Sequence, residues 1–224
     1  MIGVIGHAIP VPPTTYCQPY DPGPQQQRSR WQPVSVGWSP DGTMVATGGG
    51  QGKVILWRAA GGRQLATLQA DTSWVLAMAF SLDGSLLAAS GIGDRQVTVW
   101  DVRTRRLVGR LPHPNFVGSM AFDPAGRTLA TDAADGLVRL WDLTSLRQIG
   151  WPLPGAENGT GTNVSAFDPS GNHLIAVYDS GTAFVWEMNS DRWKQQACTV
   201  VGRPLSREEW NEFLANRRYQ PACR

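Results

Sequence analysis

Few residues of this chain have the types and spacings that chemistry needs. His113 and Asp135 could supply half of a catalytic dyad, an imidazole base with a carboxylate to orient it. No nucleophile or oxyanion-binding feature accompanies them. The other histidines do not help, since His7 sits in the N-terminal segment and His173 in a strand-like run. The stretch GGGQGKV at 48–54 holds a Gly-Lys pair, but a P-loop needs glycine five positions before its second glycine and Ser or Thr after the lysine. Thr47 and Val54 stand there, and a strand-like run follows instead of a helix. Glu208 and Glu209 are adjacent on a helical pattern, so their carboxylates do not face one another. Cys17, Cys198 and Cys223 lack any C-x-x-C spacing. NGT at 158–160 and NVS at 163–165 have the form of glycosylation sites. These residues predict no catalytic site, no metal and no cofactor.

The regular residues are aromatics. Trp57, Trp100, Trp141 and Trp186 each end a short β-type run and fall 43, 41 and 45 residues apart. A second series, Trp38, Phe80, Phe122 and Phe167, closes an earlier run in each unit at spacings of 42, 42 and 45. Between the two lies a turn built on Asp41-Gly42, Asp83-Gly84, Ala125-Gly126 and Ser170-Gly171, where glycine supplies a positive φ. A second apolar run follows in each unit, then a Gly- or Asp-bearing turn and an alternating run such as Val138-Arg139-Leu140-Trp141. The first three units add a weaker fourth run, as in Gln64 to Leu68 and Leu107 to Leu111. A period of about 40 to 45 residues with four strands per unit predicts an all-β propeller of four four-stranded blades. Four blades are at the low end of the roughly 4 to 8 that close a propeller, which predicts an incomplete ring.

This pattern resembles the WD-repeat β-propeller family, with Trp100-Asp101 and Trp141-Asp142 as the naming dipeptides. Trp57-Arg58 and Trp186-Glu187 depart from it. Nine residues before each strand-one aromatic, where the family places histidine, stand Ser29, Asp71, His113 and Asn158. Only the third unit matches the family's hydrogen-bonded tetrad in full, at His113, Thr131, Asp135 and Trp141. The second keeps Ser90, Asp94 and Trp100, with Asp71 in place of the histidine. The resemblance implies a structural tetrad in which the carboxylate orients the imidazole, the imidazole bonds the hydroxyl, and the hydroxyl reaches the indole N–H. That role is preferred to the catalytic one.

The remainder of the chain divides into 1–30, an N-terminal segment and Pro/Gln-rich linker; 31–188, the four repeats; and 189–224, a C-terminal helical tail. VIGHAI near the start resembles QIGWPL at 148–153, as though the chain began on the last strand of a preceding blade. In the tail, Trp193, Ala197 and Val201 recur at helical spacing, and Ser206 with Glu209 makes a capping box. A helical hairpin there could bring Cys198 and Cys223 together. Repeats plus tail resemble the C-terminal region of bacterial multidomain WD-repeat proteins, in which the propeller follows a signalling NTPase, kinase or protease module.

With 20 basic and 18 acidic residues the formal net charge is +2, and no Lys/Arg block interrupts the repeats, so nucleic-acid binding is not expected. No apolar run approaches the roughly 20 residues that span a bilayer. The N-terminus lacks the basic region of a secretory signal, and the expected location is the cytoplasm. The resemblance implies a non-enzymatic protein-interaction scaffold. Its partners would dock on the loops before strand one and the turns between strands two and three, at 71–74, 94–95, 113–116 and 158–162. Trp74, Arg95 and Phe116 have the chemistry of binding hot spots there. Self-association through open propeller edges is a further expectation. The alternatives are a sensor or autoinhibitory part of a bacterial signalling NTPase or kinase, and a propeller enzyme, which would need a channel-lining metal cage or nucleophile set.

Overall fold

A computed structural model of the protein describes residues 33–153, 162–178 and 181–189, with isolated positions at 192, 199, 206 and 207. The chain divides into two units, 1–30 and 31–224, and everything described belongs to the second. Its strands form four antiparallel meanders in chain order, numbered here as blades 1 to 4. Blade 1 holds β1 (Pro33–Trp38), β2 (Met44–Gly49), β3 (Lys53–Arg58) and β4 (Gln64–Gln69). Blade 2 holds β5 (Val75–Phe80), β6 (Leu86–Gly91), β7 (Gln96–Asp101) and β8 (Arg106–Pro112). Blade 3 holds β9 (Val117–Phe122), β10 (Thr128–Ala133), β11 (Val138–Asp142) and β12 (Arg147–Leu153). Blade 4 holds β13 (Thr162–Phe167), β14 (His173–Tyr178) and β15 (Ala183–Glu187).

Where a fourth four-stranded unit is expected, blade 4 shows three strands among the described residues. The helical tail expected over 189–224 lies outside the described residues apart from Asn189 and the isolated positions. So do the linker, the strand expected near its start, and all three cysteines.

The first turn of each blade is set by short polar side chains. In blade 1, Ser39 Oγ donates to Asp41 Oδ1 at 2.6 Å and accepts from Met44 N–H at 2.9 Å, while Gly42 takes φ +68°. Ser81 and Asp83 repeat this in blade 2. In blade 3, Asp123 serves alone, its Oδ1 accepting the N–H groups of Arg127 and Thr128, both at 2.7 Å. The aspartates after the tryptophans work in the same way. Asp142 Oδ1 accepts from Thr144 and Ser145 N–H at 2.7 and 3.0 Å, closing the turn from β11 to β12. Such side-chain to backbone bonds favour a turn over continued strand.

Packing runs from blade to blade. Ala46, Val54 and Leu56 of blade 1 meet Leu87, Ala89 and Trp100 of blade 2. Ala88, Val97 and Val99 of blade 2 meet Leu129 and Trp141 of blade 3, and Leu140 of blade 3 meets Leu174 and Trp186 of blade 4. The tryptophan-bearing face of each blade therefore turns toward the preceding one. Trp100 and Trp141 are only 4% exposed, so each contributes the burial of a large aromatic, of the order that makes truncation to alanine cost about 3 to 5 kcal/mol. The first strands of successive blades, β1, β5, β9 and β13, pack side by side.

Candidate functional site

An antiparallel meander sends alternate connections to opposite ends of its strands. The links β2–β3, β4–β5, β6–β7, β8–β9 and β10–β11 share one end, here the loop face, and the links β1–β2 and β3–β4 with their repeats share the other. Trp74, Arg95 and Phe116 all lie on the loop face, in β4–β5, β6–β7 and β8–β9 respectively.

These loops are fixed from below by buried polar groups. His113 Nε2 lies 2.8 Å from Thr131 Oγ1, and Trp141 Nε1 donates to the same oxygen at 3.0 Å. His113 Nδ1 lies 2.9 Å from the Leu111 carbonyl, which can only accept, so Nδ1 carries the proton and Nε2 accepts from Thr131. The imidazole also tilts against the Trp141 ring at a centroid distance of 5.0 Å. Burial pushes the His113 pKa down to about 4, with the Leu111 bond opposing, so the ring is neutral at pH 7. The fourth expected member behaves differently. Asp135 makes a two-pronged pair with Arg139, at 3.0 Å from Nη1 and 2.5 Å from Nη2, and accepts from Leu137 N–H. Burial alone would raise its pKa, but the bonds and charge of Arg139 outweigh this and hold it below the usual carboxylate range. A backbone carbonyl, not the carboxylate, holds His113 Nδ1.

Blade 2 departs further from expectation. Ser90 lies on the opposite face from Trp100 and donates to the Val117 carbonyl of blade 3 at 2.8 Å. The position facing Trp100 as Thr131 faces Trp141 is Ala89. The cause is one extra residue in the β6–β7 turn: Trp100 pairs with Leu87, thirteen residues back, whereas Trp141 pairs with Leu129, twelve back. The sequence carries this signal, because Phe80 to Trp100 is twenty residues and Phe122 to Trp141 nineteen. Asp71, buried at the histidine position, accepts the N–H groups of Ser73, Gly93 and Asp94 at 2.7, 3.0 and 3.1 Å. Blade 1 holds a pair that the motif does not reveal: Trp57 Nε1 donates to Thr47 Oγ1 at 2.7 Å.

Above this framework the three candidate anchors differ. Arg95 is exposed on a backbone with φ +49°, and its carbonyl accepts from His113 N–H at 2.9 Å. Phe116 is 37% exposed, and its carbonyl accepts from Ala134 N–H. The Trp74 indole is half-buried against Gly50 of blade 1. Residues 158–161 lie outside the described residues, and Thr162 opens β13.

At the other end the structure gathers residues that served in the sequence only as period markers. Trp38, Phe80, Phe122 and Phe167, one from each blade, line a cavity of about 410 Å³ together with Leu82, Pro40, Pro124, Pro169 and Asp168. The equal spacing of these aromatics was the available signal. Residues at equivalent positions on neighbouring first strands must converge at one end.

The family model WD domain, G-beta repeat matches residues 27–58, 62–101 and 105–142. Periodic tryptophan protein 2 homolog of Schizosaccharomyces pombe is 33% identical over 122 residues, 54% of this chain and 14% of that protein. WD repeat and SOCS box-containing protein 1 of Takifugu rubripes is 32% identical over 105 residues, covering 46% and 25%. Guanine nucleotide-binding protein subunit beta of Oryza sativa subsp. japonica is 28% identical over 156 residues, covering 65% and 41%. The chain spans less than half the length of each of these eukaryotic relatives, and blade 4 falls outside the matched repeats.

Proposed function

We propose, from the premise that this is a WD-repeat protein, that the chain works as a non-catalytic scaffold in the cytoplasm, holding a protein partner on its loop face. The observation that carries this reading is the pairing of exposed Arg95 and Phe116 with a rigid base, since both backbones are bonded to neighbouring elements through the His113 and Ala134 amides. An anchor whose backbone is already fixed loses little entropy on binding. Trp74 has a mixed role, because its indole already packs on Gly50. The finer setting, a C-terminal part of a bacterial signalling NTPase or kinase, rests on the resemblance of repeats and tail. The coding sequence upstream of Met1 tests it.

The experiment is capture of partners from the native host by wild-type chain and by Arg95→Ala, Phe116→Ala and Trp74→Ala. Arg95→Ala and Phe116→Ala are expected to melt as the wild type does and to lose a captured protein, since hot-spot truncation costs about 2 kcal/mol or more of binding. Trp74→Ala is expected to lower the melting temperature as well. Unchanged capture by the first two variants would remove the loop face as the binding surface.

A further inference from the structure

The junction between blades 1 and 2 and the junction between blades 2 and 3 pack alike but are finished differently. In the second, Leu146 of the β11–β12 turn reaches back onto blade 2 and packs, with Leu86, at the edge of the apolar core. Its Cδ1 lies directly over Gly109, so a β-carbon on Gly109 would overlap it. At the first junction the strand register gives the place of Gly109 to Ala66, since Ala66 pairs with Leu56 as Gly109 pairs with Val99. In the β7–β8 turn, Arg105 follows Asp101 as Leu146 follows Asp142, and the two share a left-handed backbone at φ +60° and +57°. Arg105 is exposed. In place of a filled seat there is a cavity of about 420 Å³, with Met44, Leu56 and Leu65 of blade 1 and Val102 of blade 2 as its apolar lining and Arg103 and Arg105 beside them.

We propose that this cavity is the docking site for a short acidic segment of a partner protein, with a leucine side chain seated in it as Leu146 is seated at the next junction. The molecule itself supplies the example of the occupant, because the same turn position, on the same backbone, puts a leucine into the corresponding place. The charge around the seat selects what flanks that leucine. Arg58 borders the same Met44 and Leu65 from an adjoining cavity, so three exposed guanidinium groups stand around it. None of the three forms an ion pair among the described residues. The two carboxylates of the lining are already engaged in their own turns. Asp83 accepts from the Ser81 and Ser85 hydroxyls at 2.6 and 2.9 Å, and Asp101 from the Thr104 N–H and hydroxyl at 2.6 and 2.7 Å. The donors left over favour an incoming carboxylate, which a guanidinium binds through two parallel bonds. The site lies at the end of the blades opposite the loop face and uses none of Trp74, Arg95 and Phe116, so it is independent of the loop-face reading.

The test is a titration of the full chain, labelled with carbon-13 in its methionine methyl groups, with the blocked tripeptide Glu-Leu-Glu to roughly 10 mM. The Met44 methyl resonance is expected to shift saturably, while that of Met120, in the core of the next junction, stays in place. Glu-Ala-Glu is expected to bind at least about tenfold more weakly, because most of the apolar surface it could bury is gone. Lys-Leu-Lys is expected to lose about tenfold or more through repulsion by the arginines. Ala66→Gly combined with Arg105→Leu copies the arrangement between blades 2 and 3. Its own leucine is expected to take the seat, move the Met44 resonance of the free protein and abolish the response to Glu-Leu-Glu. Arg105→Glu, at an exposed position, keeps the cavity and reverses its charge, and about a tenfold loss is expected. An unmoved Met44 overturns the proposal, as does a response to Glu-Ala-Glu or Lys-Leu-Lys as strong as that to Glu-Leu-Glu. A double variant that keeps its Met120 resonance and still binds like the wild type overturns it too.

Discussion

At the end of β11, Trp141 Nε1 donates to Thr131 Oγ1 and His113 completes the set, whereas at the end of β7 Trp100 faces Ala89, whose side chain has no oxygen to offer. Both indoles are 4% exposed. The tryptophan is therefore kept by packing in either case, and the hydroxyl–imidazole network is a separate device for fixing the loop above it. Blade 2 fixes its loop by other means. The Asp71 carboxylate accepts three backbone N–H groups across the β4–β5 and β6–β7 links, and the Gly52 carbonyl of blade 1 accepts from Ala70 and Asp71 N–H at 2.7 and 3.2 Å. In blade 3, the corresponding backbone bond runs from His113 N–H to the Arg95 carbonyl. The same job, holding a loop before the first strand, is done by an aspartate side chain in one blade and a neutral imidazole in the next.

The largest way to break blade 2's arrangement is Gly52→Ala. Gly52 has φ +67°, and a β-carbon there would overlap the Asp71 carbonyl, a backbone atom with little room to move. We expect a loss of about 4 kcal/mol or more, measured as the shift in urea midpoint at constant slope. Gly42→Ala is the control. It shares a φ of +68° but opens on empty space, so only the left-handed backbone penalty of about 1 to 2 kcal/mol should appear. Equal losses would mean that contact with the Asp71 loop contributes nothing.

The next effect separates the two devices by charge. The pKa of His113 falls from 6.5 to about 4 on folding, so the folded state prefers the neutral ring. The linked stability is fully present above pH 6.5 and is lost as pH falls toward 4, by about 3 kcal/mol in all. His113→Gln should remove that part of the pH dependence, and the wild-type and variant denaturation curves should converge as pH is lowered from 7 to 4.5. Curves that stay parallel would show that His113 is not held neutral by the fold.

The period, the strands and the first turns were legible because each depends on neighbouring residues: Ser39, Asp41 and Gly42 specify a turn wherever they occur. The face of Ser90 was not. It stands ten residues before Trp100, as Thr131 stands before Trp141, yet one extra residue in the intervening turn moves it to the opposite face, since side chains alternate along a strand. The partner of Asp135 was equally hidden. Arg139 lies two residues before Trp141 on the same face, and a guanidinium fork offers a carboxylate two bonds where an imidazole offers one. For the anchors, the sequence supplied residue types and loop positions, but Trp74's contact with Gly50 crosses from blade 2 to blade 1 and has no local signature.

The smallest effect compares the same hydroxyl in two settings. Thr131 is fully buried, and Thr131→Val would leave both the Trp141 N–H and the bare Nε2 of His113 without their partner, at a cost of about 2 kcal/mol. Thr47 Oγ1 accepts from the Trp57 N–H and donates to the Ile55 carbonyl at 3.5 Å, in a half-buried setting and with no imidazole beside it among the described residues. Water can replace it there, so Thr47→Val should cost less than about 1 kcal/mol. Equal losses for the two variants, by urea titration, would mean that burial does not set what the hydroxyl contributes.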